Sequence, residues 1–403
     1  MDFSPSSKAR EHVDRVGSFI EREIAPVEGD YLRELLALPA EDRWRVLPVI
    51  DELKAKARAA GLWNLFLPDH SGLSNVDYAP VAELMGRSFI ASEVFNCNAP
   101  DSGNMEVLHQ YGSDEQKQRY LRPLLDGEIR SAFCMTEPDI ASSDATTMAA
   151  TAVVDGDEVV VNGSKWFSTG IGHPRCEVIL FMGLTYPDGE RYRRHSIVAV
   201  PRHAPGVTVE RMLPVMGRHD EPYGHGQVRF DNVRLPVSAF VAGPGRGFEI
   251  GQNRLGPGRI HHCMRLIGLA EAALEAACRR GVERIAFGKP LVNLGGNRER
   301  IAEARMAIDQ ARLLVLHAAW LLDTQGILGA LSPVSQIKAV VPAMAQNVID
   351  MAMQMHGGAG LSDDFPLAGA WTVARALRLA DGPDEVHRGV VARLELGKYG
   401  MTR

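Results

Sequence analysis

The sequence predicts a multidomain protein of α and β structure, with an N-terminal helical domain, a central antiparallel β-barrel-like domain and a C-terminal four-helix bundle. Apolar residues follow helical spacing early in the chain. β-branched runs separated by turn dipeptides fill the middle, and long helical patterns return after a glycine- and proline-rich link at 243–247. We therefore place the domains at residues 1–128, 129–242 and 243–403. With 403 residues, 45% of them hydrophobic, the chain is long enough for more than one core.

The N-terminal domain is predicted from apolar stripes and a capping signal. One stripe runs from Val13 to Ile24 and is expected to end at Pro26, because proline lacks the N–H that continues a helix. Another stripe runs from Trp44 to Ala57. Ser113 and Gln116 have the spacing of a capping box, which predicts that a further helix begins there.

The middle domain is predicted from hairpin signals. Valine-rich runs at 152–154 and 159–161 flank Asp155-Gly156-Asp157, which is typical of a tight turn. Asn162-Gly163 is expected to form a second turn directly after this hairpin. Further strands are predicted at 177–184, 196–200 and 227–235.

The C-terminal bundle is predicted from long helical patterns. One covers 259–282, after a break expected at Pro257, and another covers 301–318 with many small residues suited to close packing. Ser332-Pro333 has the pattern of a helix start and predicts a third helix that continues to Met355.

The last pair of helices is predicted to meet at Asp381. Gly382 and Pro383 are residues that close a helix, and Asp384 is expected to cap the next one. Ordered elements on both sides would fix the backbone of Asp381 and direct its carboxylate reproducibly. The same local signals also fit a solvated turn residue.

Composition excludes several classes of protein. The net charge is −6 with acids and bases interspersed, which argues against binding to nucleic acid or to a membrane surface. The five cysteines are dispersed and include no C-x-x-C pair, so neither a disulfide framework nor a zinc site is expected. The N-terminus lacks a signal core, and we see no apolar run of the roughly 20 residues that a membrane span needs. A cytoplasmic protein is expected.

Motifs for familiar hydrolases are absent from the sequence. It contains neither a G-x-S-x-G elbow nor an H-E-x-x-H motif. His261 and His262 are adjacent, so on a helix they point about 100° apart and cannot chelate one metal ion together. Packing or exposure to solvent is expected for each.

Several polar stretches are suited to a flat cofactor with polar edges. Residues 133–138 (F-C-M-T-E-P) and 165–170 (K-W-F-S-T-G) offer hydroxyls, backbone groups and an aromatic plane. Residues 284–289 (R-I-A-F-G-K) supply a guanidinium for a pyrophosphate, and residues 354–360 (Q-M-H-G-G-A-G) allow close backbone approach. Each stretch alone also fits ordinary strand-end or helix-end chemistry. None is a Rossmann fingerprint.

Together with residues 380–387 (A-D-G-P-D-E-V-H), these motifs resemble the acyl-CoA dehydrogenase family over nearly the whole chain. The detailed match is similar to the branch that contains family members ten and eleven and their bacterial relatives. The resemblance implies an acyl-CoA substrate, a bound FAD, an electron-transfer flavoprotein as electron acceptor, and a homo-oligomer that is a dimer or a tetramer.

The resemblance also assigns FAD contacts residue by residue. Phe133, Met135 and Thr136 would line the pyrimidine edge of the flavin. Trp166 would pack on the flavin, and Ser168 would form a hydrogen bond near its N5 atom. A further set would reach the FAD of a neighbouring subunit: Arg284, Phe287, Gln354, Gly357 and Gly358. Glu385 would lie near the adenosine end of the FAD.

By the same resemblance, Asp381 is the base that removes the α-proton of the thioester. Its backbone N–H would help to hold the thioester oxygen, and Gly382 beside it would contact substrate. Most family members have glutamate here; aspartate is shorter by roughly 1.5 Å, so the corner or the substrate must shift inward. Gly258 stands at the position where a few relatives place the base, and Arg259 is expected close to Asp381, where it would favour the ionised form.

Other substrate contacts remain open at this point. Ser142 or Ser143 would touch the CoA moiety, because one extra residue in that loop leaves the choice undecided. Asn98 lies among amides where relatives line the acyl cavity, which suggests an acyl group with a polar substituent or a ring, although amides also cap helix ends. A flavin oxidase of the same fold, like the nitroalkane oxidases, and a non-catalytic helical scaffold are the alternatives.

Overall fold

The computed structural model describes residues 2–401 and divides the chain into two compact units. One unit, here called the sheet unit, contains Gly29–Leu67 and Glu93–Gly258. The other, here called the bundle unit, contains Met1–Glu28, Pro68–Ser92 and Arg259–Arg403. The division into three consecutive domains stays a prediction of the sequence.

A seven-stranded mixed sheet forms the core of the sheet unit. Its strand order is β1-β4-β2-β3-β7-β6, with β5 also paired to β4. Apolar residues of these strands, such as Val159, Phe181 and Phe230, pack into one buried cluster. The strands are β1 Arg130–Cys134, β2 Thr151–Asp155, β3 Glu158–Thr169, β4 Cys176–Leu184, β5 His195–Pro201, β6 Val207–Met212 and β7 His225–Pro236.

The predicted fold class is confirmed, with a difference in strand direction. β1 runs parallel to β4, and β2 meets β4 in parallel at Thr151 and Leu184, whereas the sequence predicted only antiparallel pairing. Hairpin signals report strands that are neighbours along the chain, but β1 and β4 are distant in sequence, so no local signal predicts their pairing.

The hairpin at β2 and β3 is confirmed, but the second turn at Asn162-Gly163 is wrong. β3 continues through these residues, and its register against β7 shifts between Val161 and Gly163. Gly163 has φ +132°, and a Cβ there would lie 2.5 Å from the Cβ of Ala150. The glycine therefore marks a bulge inside a long strand.

Short helices accompany the sheet. The capping box of Ser113 and Gln116 is confirmed, whereas the helix expected from Trp44 begins only at Pro48, because proline is favoured at the first helical position. The helical segments are Ala40–Arg43, Pro48–Ala59, Ala91–Val94, Asp101–Tyr111, Asp114–Gln116, Lys117–Leu121, Arg122–Leu125, Arg191–Arg193 and Val237–Ala239.

Long helices dominate the bundle unit. They pack closely enough that a Cβ at Gly268 would lie 1.8 Å from the carbonyl oxygen of Glu83. Two of the four divisions between the units fall within the helices Ala25–Ala37 and Gly247–Glu283, and the other two follow Leu67 and Ser92. The helical segments are Ser7–Phe19, Ile20–Ile24, Ala25–Ala37, Pro68–Ser71, Asn75–Met85, Gly247–Glu283, Leu291–Asn293, Asn297–His356, Gly357–Leu361, Leu367–Ala376 and Asp384–Gly397.

Two helix breaks and one helix start predicted at prolines are wrong. A π-helical turn, Ile20–Ile24, precedes Pro26 and shifts the hydrogen-bond register, so the helix continues. Pro257 follows a glycine, which has no Cβ to clash with the proline ring, and also lies inside a helix. Pro333 lies inside Asn297–His356, whose kink is at Gly326 instead.

One helix described by the structure, Asn297–Leu361 including its final turn, is long and apolar enough to cross a membrane, with a mean hydropathy of 1.4 in its most apolar stretch. The sequence predicted no such run. Long core helices of helical bundles meet the same criterion, so this property carries no conclusion by itself.

Candidate active site

Asp381 lies on the turn between Leu367–Ala376 and Asp384–Gly397. Its backbone adopts the left-handed conformation, with φ +57°, and its side chain is 20% exposed. Aspartate tolerates this conformation better than most residues do, and residues held in it cluster at functional sites. The turn thus presents a largely covered carboxylate.

The turn differs in detail from its prediction. Pro383, rather than Asp384, occupies the N-cap position of the last helix. Asp384 is buried and accepts a hydrogen bond of 2.8 Å from Nε of Arg378, which lies in the same turn. Asp384, which the sequence predicted to be the N-cap, therefore forms an ion pair with Arg378 that closes the turn.

Donors from neighbouring helices fix the carbonyl groups of this turn. Arg259 Nε donates to the carbonyl oxygen of Asp381 at 3.0 Å, and His387 Nε2 lies 3.2 Å from the same oxygen. Lys338 Nζ donates to the carbonyl oxygens of Leu377 and Gly382. Arg259 thus lies next to Asp381, as predicted. Its hydrogen bond is to the backbone carbonyl oxygen of Asp381.

Burial controls the charge of these donors. Burial, with smaller contributions from the charges of Arg259 and Lys338, lowers the pKa of His387 to about 4. His387 is consequently neutral near pH 7 and places a proton on Nε2, since that atom faces a carbonyl oxygen. Burial also lowers the pKa of Lys338.

The two adjacent histidines have different surroundings. His261 is buried and meets the ring of Tyr78 edge-on, with centroids 5.0 Å apart, so packing is confirmed for it. His262 instead lies with Nε2 3.5 Å from Oδ2 of Asp381 and Nδ1 3.2 Å from Nη2 of Arg265. The sequence did not predict this contact.

In the sheet unit, the end of β1 lies beside β3. The backbone N–H of Trp166 donates to the carbonyl oxygen of Thr136 at 2.9 Å. This hydrogen bond joins the two motifs that are predicted to hold the flavin. Thr136 is exposed, and Phe133 and Met135 are partly buried. Nε1 of Trp166 is buried and has no acceptor among the residues that the structure describes, so the site has a donor available for a bound group. These features fit FAD.

A buried ion pair supports this site. Lys165 Nζ donates to Oε1 of Glu137 at 2.7 Å and to the carbonyl oxygen of Met135 at 2.8 Å. Glu137 also accepts hydrogen bonds from the backbone of Ala149 and Ala150. Because each charge is paired inside the protein, the pair fixes the 133–138 segment against the sheet.

Ser168 and Phe133 have further contacts. The buried hydroxyl of Ser168 accepts a hydrogen bond from the thiol of Cys134 at 3.2 Å. The guanidinium carbon of Arg254 lies 3.9 Å from the ring centroid of Phe133, a cation–π contact on the side chain predicted to line the flavin. Their roles toward FAD stay predictions.

Ser142 and Ser143, the two serines predicted to contact CoA, differ in their surroundings. Ser142 Oγ accepts from the backbone N–H of Glu137 at 2.9 Å and donates to the carbonyl oxygen of Ile140 at 3.1 Å. Ser143 is exposed. Contact of either serine with CoA stays a prediction.

Most of the amides near Asn98 belong to internal structure. Asn104 is fully buried and donates to Oγ of Ser131, and Asp101 accepts from the same hydroxyl and from the backbone N–H of Ser131. Asn96 is likewise buried and donates to the carbonyl oxygen of Leu124. These side chains anchor the start of β1. Asn98 differs from Asn96 and Asn104 in being partly exposed, and its contact with an acyl group stays a prediction.

The residues predicted to reach a second subunit lie on the surface of the bundle unit. Phe287, at the tip of the hairpin formed by Ile285–Ala286 and Lys289–Pro290, is 93% exposed. This ring is open to contact from another molecule, and its contact with the FAD of a second subunit stays a prediction. The other members of the set are also exposed: Arg284, Gln354, Gly357 and Gly358. Glu385 is exposed as well.

Sequence reasoning missed Lys338, His262, Arg254 and the Lys165–Glu137 pair. Lys338 alone has a local signal, because a lysine inside the apolar run 337–341 must find buried partners. The others depend on tertiary contacts, which local patterns do not report.

Comparison with protein families agrees with the geometry. Family models match all three parts of the chain: acyl-CoA dehydrogenase N-terminal domain at residues 6–128, middle domain at 132–233 and C-terminal domain at 245–396. The predicted family resemblance is therefore confirmed.

Individual relatives give the same result. Acyl-CoA dehydrogenase family member 10 of Mus musculus is 51% identical over 97% of this chain, but the chain spans only 37% of that protein. The probable acyl-CoA dehydrogenase FadE2 of Mycobacterium tuberculosis is 48% identical, over 100% of this chain and 98% of its own. A structure from Mycobacterium abscessus, provisionally assigned as an acyl-CoA dehydrogenase, is 70% identical, with a TM-score of 0.96 over 98% of this chain and 100% of its own. This chain belongs to the acyl-CoA dehydrogenase family.

Proposed function

We propose that the protein catalyses α,β-dehydrogenation of an acyl-CoA thioester to the trans-2-enoyl-CoA, with Asp381 as the base. The observation that supports this proposal is the largely covered Asp381 carboxylate on a left-handed turn whose carbonyl groups are bound by Arg259, His387 and Lys338. A base on a fixed backbone is positioned before substrate arrives, so little of the binding free energy is spent on ordering it.

The α-hydrogen of a thioester is much less acidic than a carboxylic acid. Asp381 therefore removes it only while the developing negative charge on the thioester oxygen is stabilised. We assign part of that stabilisation to the backbone N–H of Asp381, so that one residue supplies both base and donor. FAD, when bound, supplies the acceptor for the β-hydride. Thr136, Trp166 and Ser168 are the residues that we expect to orient it.

The substrate class follows the same reasoning. We propose a long acyl group or one with a polar substituent, because the amide of Asn98 is partly exposed and lies in the stretch where the family resemblance places the acyl cavity. For the electron acceptor we propose an electron-transfer flavoprotein, and for the assembly a homo-oligomer. A reducing, cytoplasmic location fits the five cysteines, all of which have free thiols.

Anaerobic reduction of the flavin tests the proposal. A panel of plain and hydroxylated acyl-CoAs is mixed with wild type and with Asp381→Asn, and loss of flavin absorbance near roughly 450 nm is followed, a general property of oxidised flavins. The variant should keep its flavin but react about 10²–10⁴-fold more slowly, the usual contribution of a general base. Full activity of Asp381→Asn would show that the base is elsewhere.

The same experiment separates the alternatives. Slow reoxidation by air after reduction supports a dehydrogenase, whereas fast reoxidation supports an oxidase of the nitroalkane-oxidase type. A purified protein without yellow colour would instead support a helical scaffold without catalytic activity.

A further inference from the structure

The imidazole of His262 lies between a guanidinium and the carboxylate of Asp381. Nδ1 is 3.2 Å from Nη2 of Arg265, and Nε2 is 3.5 Å from Oδ2 of Asp381. His262 and Asp381 have similar exposure, 21% and 20% of their side chains. Both ring nitrogens therefore face charged groups in a partly covered environment, where electrostatic contacts are stronger than in bulk water.

Arg265 determines which nitrogen of His262 carries the proton. A guanidinium has only N–H donors, so Nδ1 must accept and cannot itself be protonated while this contact exists. In the neutral ring the proton is then on Nε2, the atom that faces Asp381. His262 therefore presents an N–H group to the carboxylate and has no lone pair directed at it.

We propose that His262 is a positioning residue for Asp381, donating Nε2–H to its carboxylate and thereby holding the ionised side chain in one orientation. This inference rests on the proposed role of Asp381 as the base. The contact of 3.5 Å is longer than a normal hydrogen bond, and catalytic contacts of this kind commonly tighten when substrate binds.

The short side chain of Asp381 explains why the contact with His262 matters. Aspartate has one methylene fewer than the glutamate that the family resemblance implies at this position, so its carboxylate has a smaller range and a misplaced rotamer removes it from the substrate. Because the proton on Nε2 faces the carboxylate, His262 does not take the α-proton. It acts by orientation and by favouring the charged form of Asp381.

Other charged or titratable groups surround the pair, and they define the background for any pH effect. They come from the helix that carries His262, from the long central helix and from the last helix: Arg259, His261, Cys263, Arg265, Lys338, Asp384 and His387. None of them changes in the variants described next, so a difference between variants reports on His262.

The test compares His262→Ala with His262→Gln in the FAD-loaded enzyme. We expect the acid limb of the kcat/KM profile to move to higher pH by about one unit in His262→Ala, which is about a tenfold loss below that limb. His262→Gln should recover most of the shift, because its side-chain amide offers an N–H at a similar reach. An acid limb of His262→Ala that superimposes on wild type overturns the proposal.

A readout independent of activity is the tautomer itself. The ¹⁵N signals of His262, identified by their absence from His262→Gln, should show a protonated Nε2 and an unprotonated Nδ1 at pH 7. An unprotonated Nε2 overturns the proposal, because this atom would then have nothing to donate. His70→Gln, at an exposed histidine, is the matched control and should change neither the profile nor these signals.

Failure of this inference is distinguishable from failure of the proposed function. If Asp381→Asn is inactive while the His262 variants match wild type, Asp381 remains the base and only the role of His262 is wrong. If Asp381→Asn keeps full activity, the proposed function itself is wrong.

Discussion

Asp381 keeps a backbone conformation that costs free energy, and its neighbours explain how. A left-handed residue other than glycine costs about 1–3 kcal/mol. The carbonyl oxygen of Asp381 receives Arg259, and Lys338 binds the carbonyl oxygen of Gly382 in the same turn. A hydrogen bond to a charged group contributes about 1.5–3 kcal/mol, so these contacts offset part of the strain. The turn is therefore stabilised in the conformation that presents the carboxylate.

Part of this site could be predicted from the sequence and part could not. Asp381 was predictable, because a glycine, a proline and flanking helical patterns mark its corner locally. His262 was assigned to packing or solvent, since no pattern along its own helix reports a carboxylate more than a hundred residues away. Residue type reveals which chemistry a side chain can perform, whereas its partner depends on tertiary packing.

His261 supports a prediction for acid stability. Burial lowers its pKa in the folded protein from 6.5 to about 3, with the charge of Arg265 as a smaller cause. Between these values the unfolded chain binds a proton that the folded protein does not. The stabilisation from neutral His261 is therefore complete above pH 6.5 and is lost as the pH falls toward 3, by about 1.4 kcal/mol per unit.

Thermal unfolding measures this effect. The decrease in unfolding midpoint from pH 7 to pH 5 should be smaller in His261→Phe than in wild type, because phenylalanine binds no proton in either state. His203→Phe, at an exposed histidine, serves as control and should keep the wild-type decrease. Equal decreases in wild type and His261→Phe would mean that His261 is protonated in the folded protein.

At the scale of elements, helix boundaries were the least predictable feature. Proline predicts a break only if its missing N–H and its ring meet normal helical neighbours. A π-helical turn before Pro26 and a glycine before Pro257 remove these conflicts, so both helices continue. Strand positions were more predictable, because β-branched runs and the turn at Asp155 are local signals.

The kink at Gly326 gives a prediction for the long bundle helix. Its φ of +68° and ψ of −173° belong to a region that is open almost only to glycine. A Cβ there meets no atom within 4 Å, so Gly326→Ala should act through backbone strain alone and lower the free energy of unfolding by about 1–3 kcal/mol.

Gly389 is the matched control for this substitution. It lies within the regular helix Asp384–Gly397, and a Cβ there also meets nothing within 4 Å. Gly389→Ala should raise the free energy of unfolding by about 1 kcal/mol, because alanine favours helix. Urea unfolding should therefore move the midpoints of the two variants in opposite directions. A gain in Gly326→Ala would show that the helix runs straight through this position.

At the scale of the whole molecule, the proposed homo-oligomer leads to a prediction about exposed residues of the bundle unit. Phe287, at the tip of the hairpin, is 93% exposed. Arg284, which directly precedes the hairpin in the sequence, is also exposed. An exposed aromatic ring leaves apolar surface in contact with water in an isolated chain. An aromatic ring and a guanidinium are suited to contacting a cofactor that is held by a neighbouring subunit. We therefore expect each FAD to need residues from two subunits.

Complementation between inactive variants tests this arrangement. Asp381→Asn removes the proposed base, and Arg284→Glu should prevent FAD binding by charge repulsion with the pyrophosphate. Each homo-oligomer alone should be inactive. In a hetero-oligomer produced by co-expression, a subunit with Arg284→Glu keeps its own Asp381 and receives an intact Arg284 from its neighbour. Such a site should bind FAD and reduce it with acyl-CoA.

The outcome depends on which subunit Arg284 serves. If Arg284 bound the FAD of its own chain, one subunit of the hetero-oligomer would lack the cofactor and the other would lack the base, so co-expression would restore nothing. The two homo-oligomers mixed after purification provide the baseline, because their subunits have not exchanged. Flavin content per chain should be intermediate in the co-expressed protein under either arrangement and in the mixture as well, so restored activity, rather than flavin content, decides which subunit Arg284 serves.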